Sequence, residues 1–253
     1  MTDAEAGTPR TPPIPPLRYD PFERLRVPRP VDRYAYVRER CRGRRVLDLG
    51  AYDETEVAKA QHARWRWLHA EIAATAAAVL GVDASPALPP GGLATRVGTR
   101  IVPGDVGHLD AIVAGFQPDL VVAGELIEHT PDALGWISRL AACAPGADFL
   151  ATTPNATSIV NLLMAFFGRE NNHPDHLHVY SYKTLATLAS RVPLARPSLT
   201  PYYYDPHLLL GRLPGLAGVA AGALDTLVLK PAQFLFPLTS FGWILEGRLG
   251  DGS

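Results

Sequence analysis

The stretch DLVVAGELIEHT, Asp119 to Thr130, sets an apolar run directly against two glutamates and a histidine. The run DLVVA has the length and composition of a buried strand. Charges at the mouth of a core strand cost too much to stand there without partners. The strand's carboxyl end therefore predicts a site.

Working outward, runs of the same kind alternate with helical patterns along the chain. A short helix over RYAYVRERC precedes RVLDLG. A long helix, roughly Ala63 to Ala78, precedes VLGVD. RIVPGD, DLVVAGE, a helix from Pro131 to Ala142 and ADFLATTP follow, and GWILEGR supplies the last strand. Apolar strands buried on both faces and separated by helices form a parallel sheet, so the fold is predicted to be α/β, doubly wound and mostly parallel. Ligands of such sheets sit at the carboxyl ends of the strands. Here those ends carry Asp48, Asp83, Asp105, Glu125 and Thr153-Pro154-Asn155, a line of acceptors along one edge.

The 253 residues, 47% of them hydrophobic, suffice for one sizeable core. Residues 1–30 contain PRTPPIPPLRYDP and VPRP and are expected to form a flexible arm. Residues 31–253 are expected to form the domain, with a hydrophobic cap insert at about 206–232. That insert is rich in Gly, Ala and Leu, but Arg212, Pro214 and Asp225 interrupt it and argue against a membrane span. Cys41 and Cys143 support neither a disulfide framework nor a zinc ribbon. The first ten residues, MTDAEAGTPR, lack signal-peptide character, and a cytoplasmic protein is expected. A net charge of -1 argues against general nucleic-acid binding. Nine arginines between Arg24 and Arg45 nevertheless crowd before the first strand, which reads chiefly as a solvated helix face.

The segment VLDLGAYDE, followed by GVDAS and PGDV, resembles the cofactor motifs of class I S-adenosylmethionine-dependent methyltransferases, whose Rossmann-like sheet has seven strands. The resemblance covers about Val46 to Ser181. It implies a permissive turn at Gly50, ribose hydroxyls on Asp83, and the adenine amino group on Asp105 with the Val106 amide beside it. Cofactor contacts are thus expected at Asp48, Gly50, Ala51, Asp83, Ala84, Asp105, Val106 and Gly124. The sequence departs from the family where Ala51, Tyr52 and Asp53 replace further glycines. The following RWRWLHAEIA places His69 where it would either reach the cofactor's carboxylate or sit at the boundary of an amphipathic helix. A nicotinamide-binding domain is the rival, but GAYDET lacks the glycines that seat a diphosphate and offers Asp53 and Glu54 instead.

Within that superfamily, Glu-x-x-Glu-His resembles the metal-binding signature of two groups, the small-RNA terminal 2′-O-methyltransferases and the ubiquinone-pathway O-methyltransferases. The first group also has TPN and a downstream Asp-His, here TTPN at 152–155 and PDH at 174–176. The implied ligands are Glu125, Glu128, His129 and His176, a mixed oxygen and nitrogen set suited to Mg, Mn, Fe, Co or Zn. His173 and His178 flank His176 and offer further bases. A plainer reading takes Thr130-Pro131-Asp132 as cap, first-turn proline and dipole-favoured acid, with Glu125 to His129 only an entry turn. The expected reaction is O-methylation of a hydroxylated small molecule, a sugar or glycoside diol ahead of a catechol, with a glycosidic or lipid-linked acceptor also admitted. His173, with His129 beside it, would take the proton. Methylation of an RNA terminal ribose is the alternative, although no nucleic-acid partner is expected. A catalytically silent partner subunit is the third reading. The sequence also admits a homodimer.

Overall fold

The computed structural model describes residues 11–18, 20, 22–52, 66–206 and 215–250. Helix α1 (Arg33–Cys41) leads into β1 (Arg45–Leu49), and α2 (Leu68–Ala73) into β2 (Ala78–Asp83). Then come β3 (Leu93–Ala94), β4 (Arg100–Pro103), α3 (Asp110–Phe116), β5 (Leu120–Gly124), α4 (Ala133–Cys143) and β6 (Asp148–Pro154). The chain ends with α5 (Ile159–Phe166), α6 (Tyr182–Ala189), β7 (Leu194–Tyr202), α7 (Gly215–Leu224), a π turn (Asp225–Leu229), α8 (Lys230–Leu235) and β8 (Gly242–Leu249).

The strands form one sheet in the order β3-β4-β2-β1-β5-β6-β8-β7. β4, β2, β1, β5 and β6 run parallel, and β8 pairs antiparallel with both β6 and β7. The doubly wound, mostly parallel architecture is as predicted, but the sheet has eight strands and not seven. The extra one is β3, two residues paired antiparallel to β4. From β1 the chain winds outward through β2 and β4 on one side and returns through β5 and β6 on the other. The crevice at the carboxyl ends of β1 and β5 is therefore the switch point.

The strands are buried on both faces, as their apolar runs require. Leu47, Leu49, Val121 and Ala123 pack with Trp136, Ile137 and Leu185, while Val46, Leu120 and Val122 pack with Val37, Cys41 and Ile72. The predicted long helix is shorter in its described part. It stops at Ala73 because the following backbone pairs with the entry to β1: Gly43 N donates to Thr75 O at 2.9 Å, and Ala77 N to Arg44 O at 2.8 Å. Its predicted start at Ala63 lies outside the described residues. α4 begins at Ala133 and not at Pro131. Its cap is Asp132, which accepts from Gly135 N at 2.8 Å, while the Thr130 hydroxyl turns back to Leu126 O at 3.1 Å.

The described part of the proline-rich arm lies against the domain. Ile14 N donates to Pro197 O at 2.8 Å, Leu25 and Val27 pack on the core, and Lys183 meets Glu23 at 2.9 Å. A cleft of about 750 Å³ opens at the opposite, amino ends of the parallel strands, lined by Arg40, Arg44 and Arg248 among others. Acids hold two of these arginines: Arg40 pairs with Glu246 at 2.8 Å and Arg44 with Asp148 at 2.9 Å. None of the predicted site residues lines it.

Candidate active site

The cofactor half of the site begins at Gly50. Its φ of +74° is the left-handed turn that ends β1, and a Cβ there would lie 3.4 Å from Leu126 Cδ1. Ala51 follows, buried, and Tyr52 N donates to Asp83 Oδ2 at 2.8 Å. Ser85 N holds the other Asp83 oxygen at 2.8 Å, so two amides orient this carboxylate at the end of β2, with exposed Ala84 beside it. Asp105 accepts from Gly107 N at 2.9 Å and meets His108 Nδ1 at 3.1 Å. The amide, then the imidazole, lower its pKa. Asp105, Val106, Leu126, His129 and Trp136 line one cavity of about 600 Å³, a volume suited to a nucleoside-sized ligand. Gly124, at the end of β5, faces Leu68, whose Cδ2 would stand 2.3 Å from an added Cβ.

Asp48 and His69 form a closed structural network. Asp48 is buried within β1 and accepts from His69 Nδ1 at 2.7 Å, while His69 Nε2 faces the Thr99 hydroxyl at 2.7 Å. With Nδ1–H given to the carboxylate, Nε2 accepts from Thr99. Both ring nitrogens are thus occupied, and His69 is neither at a solvent boundary nor able to offer a nitrogen to the cofactor's carboxylate. Gly81 makes room for the ring, since a Cβ there would lie 3.0 Å from His69 Cε1.

GELIEHT is the half expected to meet the acceptor. Glu125 adopts φ +52°, a left-handed conformation costly for a residue with a side chain. Its amide donates to Thr152 O at 3.0 Å. Its Oε1 takes Arg33 Nη1 at 2.9 Å, the Tyr202 hydroxyl at 2.7 Å and the Thr152 hydroxyl at 3.1 Å. Burial opposes the charge on Arg33 most strongly, but Glu125, Tyr34 and Tyr202 together outweigh it and raise the guanidinium pKa. Burial, then Glu125, raise that of Tyr202.

Glu128 is in the opposite condition. It is 0% exposed, and neither carboxylate oxygen has a hydrogen-bond partner among the described residues. Burial, then the charge of Glu125, push its pKa up to about 9. Its own amide, then the Thr153 hydroxyl, lower it in part, though neither meets a carboxylate oxygen in hydrogen-bonding geometry.

Ligand atoms of Glu128, His129 and His176 all lie within 4.8 Å of one another. His129 Nδ1 donates to the Asp175 carbonyl at 3.2 Å, which orients the ring. His176 has a buried Nδ1 without a partner, and burial, then His129, lower its pKa and keep the ring neutral. One buried carboxylate and two imidazoles are a donor set that a divalent cation uses, so these residues fit a metal. Of the four predicted ligands, three converge. Glu125 lies outside that trio and is spoken for by Arg33 and Tyr202. His173 stands over the cluster, its ring 6.2 Å from His129 and 6.0 Å from His176 between centroids, with Asp175 N donating to its Nδ1 at 3.3 Å. His178 instead lies against Tyr180, at 5.8 Å. Asn155 of TTPN is a clasp: its Nδ2 donates to Leu238 O at 2.9 Å and Ser240 O at 2.8 Å, and its Oδ1 accepts from Thr157. Sequence reasoning missed Arg33, Tyr202 and the Asp175 carbonyl, because no local spacing links them to GELIEHT.

The winding about β1 and β5, with acids at the strand ends, defines a Rossmann-like methyltransferase fold. A family model described as a methyltransferase domain matches residues 19–194, and the chain belongs to that family, within the class I S-adenosylmethionine-dependent methyltransferases. Among solved structures, the chain is similar to the small RNA methyltransferase HEN1, with TM-score 0.53 and 14% identity over 87% of this chain and 25% of that one. It is also similar to a methyltransferase from Archaeoglobus fulgidus, with TM-score 0.46 and 14% identity over 85% of this chain and 90% of that one. A third is the methyltransferase domain of bacterial CtHen1-C, with TM-score 0.48 and 14% identity over 86% and 94% of the two chains. At such identities the likeness is one of fold. No curated protein matches the chain.

Proposed function

We propose that this methyltransferase moves the methyl group of S-adenosylmethionine to a hydroxyl oxygen of a small molecule, a sugar or glycoside diol, beside a divalent metal held by Glu128, His129 and His176. The observation that carries the reading is the fully buried Glu128 carboxylate, without a hydrogen-bond partner among the described residues and set beside two imidazoles. Such a group destabilises a core unless it has a ligand to meet. A cation there would acidify the bound hydroxyl. The chain's own residues do the rest. Gly50 turns the backbone away from the cofactor's methionine part, Asp83 accepts from the ribose hydroxyls, and Asp105 with Val106 frames the adenine. Glu125, locked by Arg33 and Tyr202, stands as a fixed negative charge near the cluster. His173 takes the acceptor's proton as the methyl passes from sulfur to oxygen, exchanging its long bond to the Asp175 amide for that proton.

The test is methyl transfer from radiolabelled S-adenosylmethionine to a panel of glycosides and catechols, with and without a chelator. Label in a vicinal diol, lost on chelation and restored by a divalent metal, is expected. Transfer unaffected by exhaustive chelation contradicts the metal. The same ligand cluster also suits an RNA terminal ribose, with the net charge of -1 against it. Label in single-stranded RNA, with binding that weakens steeply in salt, would select that second reading.

A further inference from the structure

The segment between β7 and β8 builds a continuous helix, Gly215–Leu235, that faces the wrong way for water. Its buried stripe is Asp225, Leu229 and Gln233, spaced four residues apart. Asp225 pairs with Lys230 Nζ at 3.2 Å, and Gln233 accepts from Tyr204 N at 3.2 Å. The outward side carries Leu216 at 88% exposure, Leu227 at 73%, and Val219, Val228 and Leu235. A helix bathed in water shows the reverse order, polar side out. α5 leaves the same end of the sheet, and there Leu162, Phe166 and Phe167 are also exposed. The two pieces are stitched together at their base, since Asn155 Nδ2 and Thr157 Oγ1 both donate to Leu238 O, at 2.9 and 2.7 Å. An apolar face of this extent on one edge marks an interaction surface.

The occupant is a lipid bilayer, for reasons of length, connectivity and charge. The 21 residues are long and apolar enough for hydrocarbon, and only 11% of the most apolar window is buried. Full crossing is excluded by the sheet. Tyr202 of β7 pairs with Gly242 of β8, so both ends of the insert return to one place. Residues 203–214, with Asp205, His207, Arg212 and Pro214, are too few and too polar for a second span. The helix must then lie in the plane of the interface. Positive charge borders it. Arg29 stacks 4.5 Å from the centre of the Phe234 ring and donates to the Phe234 carbonyl. In the same arm, Leu25 and Val27 pack inward while Arg24 and Arg26 are exposed, and Arg169 is exposed beyond the tip of α5. The acids nearby are Glu23, tied to Lys183, Asp225, tied to Lys230, the half-buried Asp205, and the exposed Asp20 and Glu170. Apolar insertion bordered by arginine is the arrangement by which in-plane helices hold anionic bilayers.

We infer that this chain docks on the surface of an anionic bilayer, with Gly215–Leu235 and the tip of α5 lying in the headgroup boundary. The surface hangs from the carboxyl end of the sheet, so docking turns the acceptor side of the site toward the lipid. The binding does not depend on what is methylated.

The experiment is flotation of the full chain with vesicles of phosphatidylcholine alone and of phosphatidylcholine with phosphatidylglycerol, alongside Leu227→Glu/Val228→Glu and Arg24→Glu/Arg26→Glu. Wild type should float with the anionic vesicles and much less with the neutral ones. The apolar variant should lose at least about tenfold in partitioning, since binding scales with inserted apolar area. The charge-reversed variant should lose its preference for anionic lipid, and its unaltered apolar face keeps the test decisive should the first variant misfold. Wild type that fails to float, or floats equally with both vesicles, overturns the inference. So does a stable dimer that Leu227→Glu/Val228→Glu dissociates while vesicles bind neither protein, because the face would then belong to a second copy.

Discussion

Replacing Glu128 by methionine, an unbranched apolar side chain of similar length, should stabilise the metal-free protein and abolish metal binding. Glu128 is 0% exposed and its two oxygens lack partners. A buried polar group in that state costs roughly 1–3 kcal/mol. Removing it in the presence of a chelator should raise Tm by about 2–12 °C, at about 2–4 °C per kcal/mol for a chain of this size. The order should reverse when metal is added. Wild type then gains about 2.7 kcal/mol at a hundredfold excess over Kd, and the variant gains nothing. The pH dependence follows from the sign of the shift. The folded-state pKa of about 9 lies above the ordinary value of 4.5. The contribution of Glu128 to stability is therefore intact below pH 4.5 and is lost as pH rises toward 9. In chelator, the advantage of the variant should grow across that window. Calorimetric melts of both proteins, with chelator and with metal, read every part of this. A variant less stable than wild type in chelator, as an ordinary core substitution would be, refutes the reasoning. So does an equal rise in Tm of both proteins on adding metal.

Asp83→Ala should weaken S-adenosylmethionine about tenfold to a hundredfold by removing charge-assisted bonds to the ribose, measured by titration calorimetry. His173→Ala should slow methyl transfer by about a hundredfold or more while metal content stays unchanged, which separates a base from a ligand. Gly81→Ala should destabilise the fold by about 1–3 kcal/mol in denaturant melts, because its Cβ would stand 2.8 Å from both Ala51 Cβ and Ile101 Cγ1.

The five parallel strands and β8 were legible because each is a short apolar run, the parallel ones closed by an acid, a glycine or Thr-Pro-Asn. β3 and β7 were not, since two residues at a sheet edge carry no periodicity and LARPSLTPY is broken by Pro197 and Pro201. In GELIEHT, the spacing of Glu128 and His129 and the distant PDH identified the converging trio. The same letters could not reveal that Glu125 is bound by Arg33, 92 positions earlier, and by Tyr202, because ion pairing across the sheet leaves no trace in local pattern. Nor could they show that Asn155 fastens the insert to the start of α5. The composition of the insert was plain, but which side of its helix faces water is a tertiary fact, and here the polar stripe points inward.

Glu128, His129 and His176 are proposed to share a metal ion. The most direct test is metal content after dialysis of the purified chain against trace divalent metals, with S-adenosylmethionine affinity measured on the same samples. Wild type should retain about one ion per chain, as expected for one preorganised site. Glu128→Ala, His129→Ala and His176→Ala should each lose it while still binding S-adenosylmethionine. Wild type that holds no metal above the level of those three variants would contradict the account.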